Sequence, residues 1–208
     1  MHMLTLYGTL RSGSAAIEAA LARAGLAYTP VDAASWNPGP GLDELRRVNP
    51  LGQIPTLVLA DGTVLTESAA ILIHLGLTLP PGLLLPGDAQ ARARALRGLV
   101  YIPANCYSAI TVIDYPERFC EPCDDAMTER IRAGTRQTLH HHWRVFADEF
   151  CVGFDAGAPG SLELLATVVS KWSGTRAMLQ ADRPAFHAQL LRVEQHPEVA
   201  AVFRRHWA

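Results

Sequence analysis

No cysteine occurs before Cys106, and the chain has only four. That is too few for a disulfide scaffold and leaves the first half without a thiol nucleophile of its own. Charge of one sign is also missing. Eighteen Lys and Arg stand against twenty Asp and Glu, a net charge of −2, with no block of like charge. This excludes the electrostatic footprint of a partner such as nucleic acid or an anionic membrane. The longest uncharged run, Ser68 to Gly87, is interrupted by Pro80, Pro81 and Pro86 and does not read as a membrane span. Met1-His2-Met3-Leu4-Thr5-Leu6-Tyr7 lacks the basic region, apolar run and small-residue cleavage site of a secretory leader, so the expected location is cytoplasmic.

Hydrophobic residues, at 49% against 18% charged, are enough for a sizeable core and exclude intrinsic disorder. A length of 208 residues fits one large domain or two small ones, and two is the expectation. Up to about residue 80 short strand-like and helix-like segments alternate; from Asp88 onward the pattern is helical. Met3 to Tyr7 reads as a strand. Ile17, Ala20, Leu21 and Ala24 then recur at helical spacing, and Gly25 ends that helix. Tyr28 to Asp32 is a second strand, and Leu42 to Val48 a short helix after the turn Asn37-Pro38-Gly39-Pro40-Gly41. Asp61-Gly62 joins Thr56–Leu59 and Val64–Thr66 as a tight hairpin, and a helix follows from Ser68 to about Leu75.

The resulting order, β-α-β-α-β-β-α, is that of a thioredoxin-like domain. Residues 1–79 form that unit in this reading, and residues 88–208 an α-helical bundle. In the bundle one helix runs from Asp88 to about Thr111 with a kink at Pro103. A second runs from the Pro122-Cys123-Asp124-Asp125 start to about Phe150, a third spans Ser161 to Trp172, and Phe186, Leu190 and Leu191 mark another.

Three motifs carry more than a pattern: Leu6-Tyr7-Gly8, Asn49-Pro50-x-x-x-Ile54-Pro55-Thr56-Leu57 and Leu65-Thr66-Glu67-Ser68-x-x-Ile71. In order and spacing they resemble the glutathione transferase superfamily, and Arg183-Pro184…Pro197-x-Val199 is similar to its closing pattern. The resemblance implies the glutathione transferase fold, an α/β thioredoxin-like domain followed by an all-α domain that binds the second substrate and dimerises. It also implies attack of the glutathione thiolate on a small electrophile, glutathione being a cosubstrate with no metal, in a cytoplasmic homodimer engaged in detoxification.

The same resemblance assigns Pro55 as a cis-proline that turns the backbone of Ile54 toward the cysteinyl part of glutathione, with Gln53 beside it. Glu67 would take the γ-glutamyl ammonium and Ser68 its carboxylate at a helix N-terminus. Ser68 or Thr66 could instead be an ordinary helix cap. Three hydroxyls compete to stabilise the thiolate: Thr9, Ser12 and Ser14. Counted from Leu6-Tyr7, Ser12 matches the serine of the theta and zeta classes and is the expected catalytic residue. The zeta motif's second serine and its cysteine are replaced by Gly13 and Ser14, which argues against maleylacetoacetate isomerisation.

Asn105 and Tyr107 are the expected electrophile-pocket residues, and Trp36 and Arg11 possible contacts to glutathione. Cys120-Glu121-Pro122-Cys123 and His140-His141-His142 have metal-like or redox-like elements but lack a second pair or a common face. Two alternatives stand beside the transferase reading. One is a glutathione-dependent isomerase or peroxidase using the same thiolate. The other is a non-catalytic transferase-like module for protein contacts, against which the intact Glu67-Ser68 pair argues.

Overall fold

The computed structural model describes residues 3–208; Met1 and His2, the start of the segment read for a leader, lie outside the described residues. Four strands, β1 (Leu4–Gly8), β2 (Tyr28–Asp32), β3 (Thr56–Val58) and β4 (Val64–Thr66), form one sheet in the order β2-β1-β3-β4. β1 pairs in parallel with β2, Leu4 opposite Tyr28, and antiparallel with β3, Leu6 opposite Leu57; β3 and β4 close the hairpin with Leu57 opposite Leu65. The sheet therefore combines a parallel crossover with an antiparallel edge.

The crossover helix α1 (Ser14–Arg23) is built mostly of small residues, and Ala15, Ala16, Ile17, Ala19, Ala20 and Leu21 are all fully buried. Alanine gives helix propensity while letting the helix lie close to both the sheet and the helical half. Gly25, at φ +63°, ends it in the left-handed conformation that glycine adopts without steric cost. Two further helices complete this half: α2 (Pro40–Val48) and α3 (Ser68–Thr78). Pro40 sits in the first turn of α2, so the helix begins two residues before Leu42.

The helical half contains α4 (Ala89–Tyr101), α5 (Ser108–Asp114), α6 (Asp125–Phe150), α7 (Ser161–Val169), α8 (Thr175–Asp182), α9 (Pro184–Gln195) and α10 (Ala200–Trp207). The expected single helix from Asp88 to Thr111 is two helices joined by a π-helical turn, Ile102–Tyr107, that begins one residue before Pro103. Proline removes one backbone donor and crowds the preceding turn, and a wider turn accommodates both effects. All nine residues of α7 are buried. Ser161 ties α7 to the first half, its N–H donating to the Leu84 carbonyl at 2.7 Å and its hydroxyl to the Leu72 carbonyl at 3.0 Å. The ring stack of Phe146 on Phe150, 4.6 Å between centroids, with Trp143 and Phe186 beside it, forms the core of the bundle. On α9 only Leu190 of the expected Leu190–Leu191 pair points inward, and Leu191 is exposed.

Candidate functional site

A cleft of about 590 Å³ lies between the two halves. Its floor in the first half comes from three places where a strand or loop hands over to a helix: Arg11–Gly13 ahead of α1, Gln53–Pro55 ahead of β3, and Thr66–Ala69 at the start of α3. Its opposite wall comes from the π-helical turn and α5 (Pro103, Tyr107, Thr111) and from Tyr115, Arg118 and Trp172.

Two helix N-termini open into this space, neither capped by the side chain of the residue just before it. α1 begins after Gly13, and α3 begins after Glu67, whose φ of +63° is unusual for a residue with a Cβ. The helix dipole makes each terminus a place for negative charge, and α3 adds uncapped N–H groups, whereas at α1 the Ser14, Ala15 and Ala16 N–H groups already bond Ser12 Oγ and the Ser12 and Gly13 carbonyls. Ser68 is the first residue inside α3 and its hydroxyl accepts no capping N–H, so the plain helix-cap reading of Ser68 or Thr66 does not hold. Arg11 also has positive φ, +59°; of the three non-glycine residues with positive φ among the described residues, Arg11 and Glu67 both line the cleft. Sparsely populated backbone conformations of this kind cluster at functional sites.

The Ile54–Pro55 peptide is cis. The loop carrying it is held by Asn49, a buried side chain whose place in the Asn49-Pro50 motif does not by itself signal a role. Asn49 Nδ2 donates to the Gln53 carbonyl at 3.1 Å and to Thr56 Oγ1 at 3.0 Å, while its Oδ1 accepts the Leu51 N–H at 3.1 Å. Thr56 Oγ1 in turn donates to the Gln53 carbonyl at 2.9 Å. These bonds fix Gln53 and leave Ile54 facing the cleft, its backbone groups outside the loop's own hydrogen bonds.

The three competing hydroxyls separate clearly. Thr9 is half-buried, does not line the cleft, and contributes its carbonyl. Ser14 is fully buried within the structure, its hydroxyl 3.1 Å from the Thr9 carbonyl. Ser12 lines the cleft at 5% exposure, but its hydroxyl lies 2.7 Å from the Thr9 carbonyl and 2.9 Å from Ser14 Oγ, and it accepts the Ser14 N–H at 3.2 Å. Each hydroxyl has one proton to give. The Ser12 proton is therefore engaged inside the loop.

A different hydroxyl faces the cleft beside Ser68. Tyr107 comes from the last residue of the π-helical turn, its ring 5.8 Å from Trp172, and its Oη faces Ser68 and lies against Gly13. A Cβ on Gly13 would come within 2.4 Å of Tyr107 Oη, which is why this position has no side chain. Burial raises the Tyr107 pKa, the Ser68 hydroxyl opposing, so the phenol stays protonated and able to donate. Tyr7, the other tyrosine near the loop, bonds Glu44 at 2.7 Å beneath α2 and does not line the cleft.

Asn105 is not in the cleft. Its side chain donates to the Tyr101 carbonyl at 3.0 Å and borders a shallow groove against α6, with Gly134 and His142. The cleft face repeats every four residues, Pro103, Tyr107, Thr111, and Asn105 falls about half a turn away. Trp36 is 60% exposed at the cleft edge. Arg118 stacks its guanidinium 3.9 Å above the Tyr115 ring, and burial raises the Asp114 pKa against the pull of Arg132. All four cysteines are free thiols; Cys106 is buried and its pKa is pushed up to about 12 by that burial. Among the described residues no three His, Cys, Asp or Glu side chains are grouped as metal ligands would be.

Residues 14–77 match the family model of the glutathione S-transferase N-terminal domain. Over 130 residues the chain is 33% identical to YncG, an uncharacterised GST-like protein of Escherichia coli strain K12, and over 105 residues 30% identical to glutathione S-transferase GstA of Escherichia coli O157:H7. These alignments cover 62% and 49% of this chain and 63% and 52% of the relatives, so the match spans between about half and two thirds of their length. In fold the chain is similar to a glutathione transferase homologue from Sulfitobacter, solved with bound glutathione, at a TM-score of 0.80 and 24% identity over 99% of both chains. The chain has the fold of the glutathione transferases, a thioredoxin-like domain followed by an α-helical one, and its residues 14–77 match that family's N-terminal domain.

Proposed function

We propose that this protein is a glutathione transferase that lowers the pKa of the glutathione thiol and directs the thiolate onto a small electrophile. The observation that carries the reading is the convergence of the uncapped N-terminus of α3, the positive end of α1 and the cis Ile54–Pro55 segment on one cleft. Glutathione is a peptide with a carboxylate at each end and a thiol in the middle. Such a cleft offers the start of α3 to one carboxylate, the Ile54 backbone to the cysteinyl unit and the start of α1 to the sulfur.

In this assignment Ser68 and the N–H groups of α3 hold the γ-glutamyl carboxylate, and Glu67 meets its ammonium. The sulfur rests at the α1 N-terminus, between Ser12 and the Tyr107 hydroxyl. The helix dipole and one donated hydrogen bond favour the thiolate over the thiol. Neither residue becomes covalently bound, because the nucleophile belongs to the substrate. The electrophile enters along Tyr107, Thr111, Tyr115 and Trp172, where the second domain supplies an aromatic wall with Arg118 at its mouth. Residues 1–79 serve in this reading as the glutathione-binding domain and residues 88–208 as the electrophile and dimerisation domain of a cytoplasmic homodimer acting in detoxification. No described helix is long and apolar enough to cross a membrane.

Calorimetric titration with reduced glutathione tests the reading. Saturable binding that is lost in both Glu67→Ala and Ser68→Ala supports it. No binding to the wild-type protein up to a Kd of about 1 mM, equivalent to about −4.1 kcal/mol, contradicts it.

A further inference from the structure

Residues 9–13 set the floor of the thiol subsite, yet the bond that fixes their middle comes from the far end of the chain. Arg11 stands at φ +59° between Thr9 and Ser12. A residue with a Cβ holds that conformation only where its surroundings impose it. The Arg11 N–H donates to Nδ1 of His206 at 3.1 Å, and the Arg11 guanidinium donates to the Ala208 carbonyl at 3.3 Å. His206 lies on α10, which packs along α1, and is 1% exposed.

The chemistry of the imidazole follows from its partners. A backbone amide can only donate, so Nδ1 carries no proton and Nε2 carries it. Nε2 lies 2.9 Å from Glu18 Oε1, to which it donates. Glu18 also receives the Tyr28 hydroxyl at 2.8 Å and the Arg205 guanidinium. Burial opposes ionisation of Glu18, but the hydrogen bonds from His206 and Tyr28, with the charge of Arg205, hold its carboxyl below the usual range. An ionised Glu18 fixes the tautomer, the tautomer presents a bare Nδ1, and Nδ1 captures the amide of the residue next to Ser12. His206 does not line the cleft.

We propose that His206 is a positioning residue for the thiol subsite: through the Arg11 amide it holds the Thr9–Gly13 loop in the conformation that aims the α1 N-terminus and Ser12 at the glutathione sulfur. The inference rests on the glutathione reading of the cleft. Its consequence is a division between binding and rate. The anchors of the γ-glutamyl and cysteinyl units, Ser68 and Ile54, stand on other segments, so glutathione still binds when the latch is broken, but its sulfur is misplaced relative to the loop.

Two substitutions separate positioning from structural support. His206→Asn places a carbonyl oxygen near Nδ1, keeping an acceptor for the Arg11 N–H while losing the reach to Glu18. His206→Gln places its amide near Nε2, keeping the donor to Glu18 while losing the acceptor for Arg11. The readouts are the glutathione Kd, kcat and KM with a general electrophile, the thermal midpoint, and amide hydrogen exchange of the segment 9–13. A misplacement of about 1 Å can cost up to about a hundredfold in rate. His206→Gln is expected to lose about tenfold or more in kcat, to keep KM for glutathione within about twofold, and to speed exchange in the 9–13 segment. His206→Asn is expected to keep kcat within about threefold, with protected exchange in that segment, whatever its thermal midpoint.

Equal kcat in the two variants, or a loss that follows only the thermal midpoint, overturns the proposal. So does unchanged exchange at 9–13 in His206→Gln, a readout that needs no activity. Failure of the wild-type protein to bind glutathione in the same titrations defeats the functional reading instead. The exchange comparison still decides whether His206 holds the loop.

Discussion

Replacing Tyr107 by phenylalanine removes one hydroxyl from the cleft wall and leaves the ring against Trp172. If that hydroxyl donates to the glutathione sulfur, the substitution withdraws one hydrogen bond to a charged group, worth about 1.5–3 kcal/mol. At about 1.36 kcal/mol per pKa unit, the thiolate pKa rises by about one to two units. A free thiol titrates near about 8.5, so the wild-type complex is expected to titrate between about 6.5 and 7.5 and the variant near the free value. At pH 6.5 the thiolate fraction, and with it kcat/KM, then falls by about tenfold to fiftyfold. Above about pH 9 the two proteins converge, since both carry thiolate there. The assay is the pH profile of kcat/KM, with the ultraviolet absorbance of the bound thiolate as an independent titration. Ser12→Ala is expected to move the profile less, because the Ser12 proton already serves the loop. A Tyr107→Phe profile that overlays the wild type, beside a shifted Ser12→Ala profile, would refute the reasoning and return the donor role to Ser12.

Ser68→Ala is expected to abolish measurable glutathione binding by calorimetry while moving the thermal midpoint little, since Ser68 makes no capping bond. Asn49→Ala removes one donor from the Gln53 carbonyl and one from the buried Thr56 hydroxyl; chemical denaturation is expected to show a loss of about 1–3 kcal/mol, with weaker glutathione binding from a loosened Ile54 loop. Gly13→Ala puts a methyl group where Tyr107 Oη now lies, and is expected to lower kcat/KM in the wild-type background more than in Tyr107→Phe, which has no hydroxyl to displace. The folded pKa of Glu18 is depressed, so its contribution to stability is present above the unfolded value of about 4.3 and is lost as the pH falls through the lower folded value. Glu18→Gln is expected to flatten that part of the stability profile in acid-denaturation experiments.

Local chemistry made much of the first domain legible. β2 and β4 lie at their expected residues, because each is a short run bounded by turn formers. α2 starts two residues before the expected Leu42, because Pro38-Gly39-Pro40-Gly41 reads as turn although proline at a first helical position is favourable. The helical half was harder. A π-helical turn shifts the phase of the apolar pattern without removing it, so Asp88–Thr111 reads as one helix and Asn105 reads as facing the cleft. The motif positions Ser12, Gln53, Ile54, Pro55, Glu67 and Ser68 line one cleft. What decides their chemistry is non-local. Tyr107 over Gly13 spans the two domains, and the Arg11–His206 bond joins residues 195 positions apart. The engagement of the Ser12 hydroxyl with Thr9 is local, but it depends on loop geometry, which residue types alone do not set.

The central claim is that this cleft receives glutathione with its sulfur at the start of α1 and its γ-glutamyl carboxylate at the start of α3. Backbone amide NMR spectra of the labelled protein, recorded as reduced glutathione is added, test it most directly. The account expects saturable shifts centred on Gly13, Ile54, Ser68 and Ala69, with the groove around Asn105 and Gly134 unmoved. Shifts confined to that groove, or none at a glutathione concentration of about 10 mM, would contradict it.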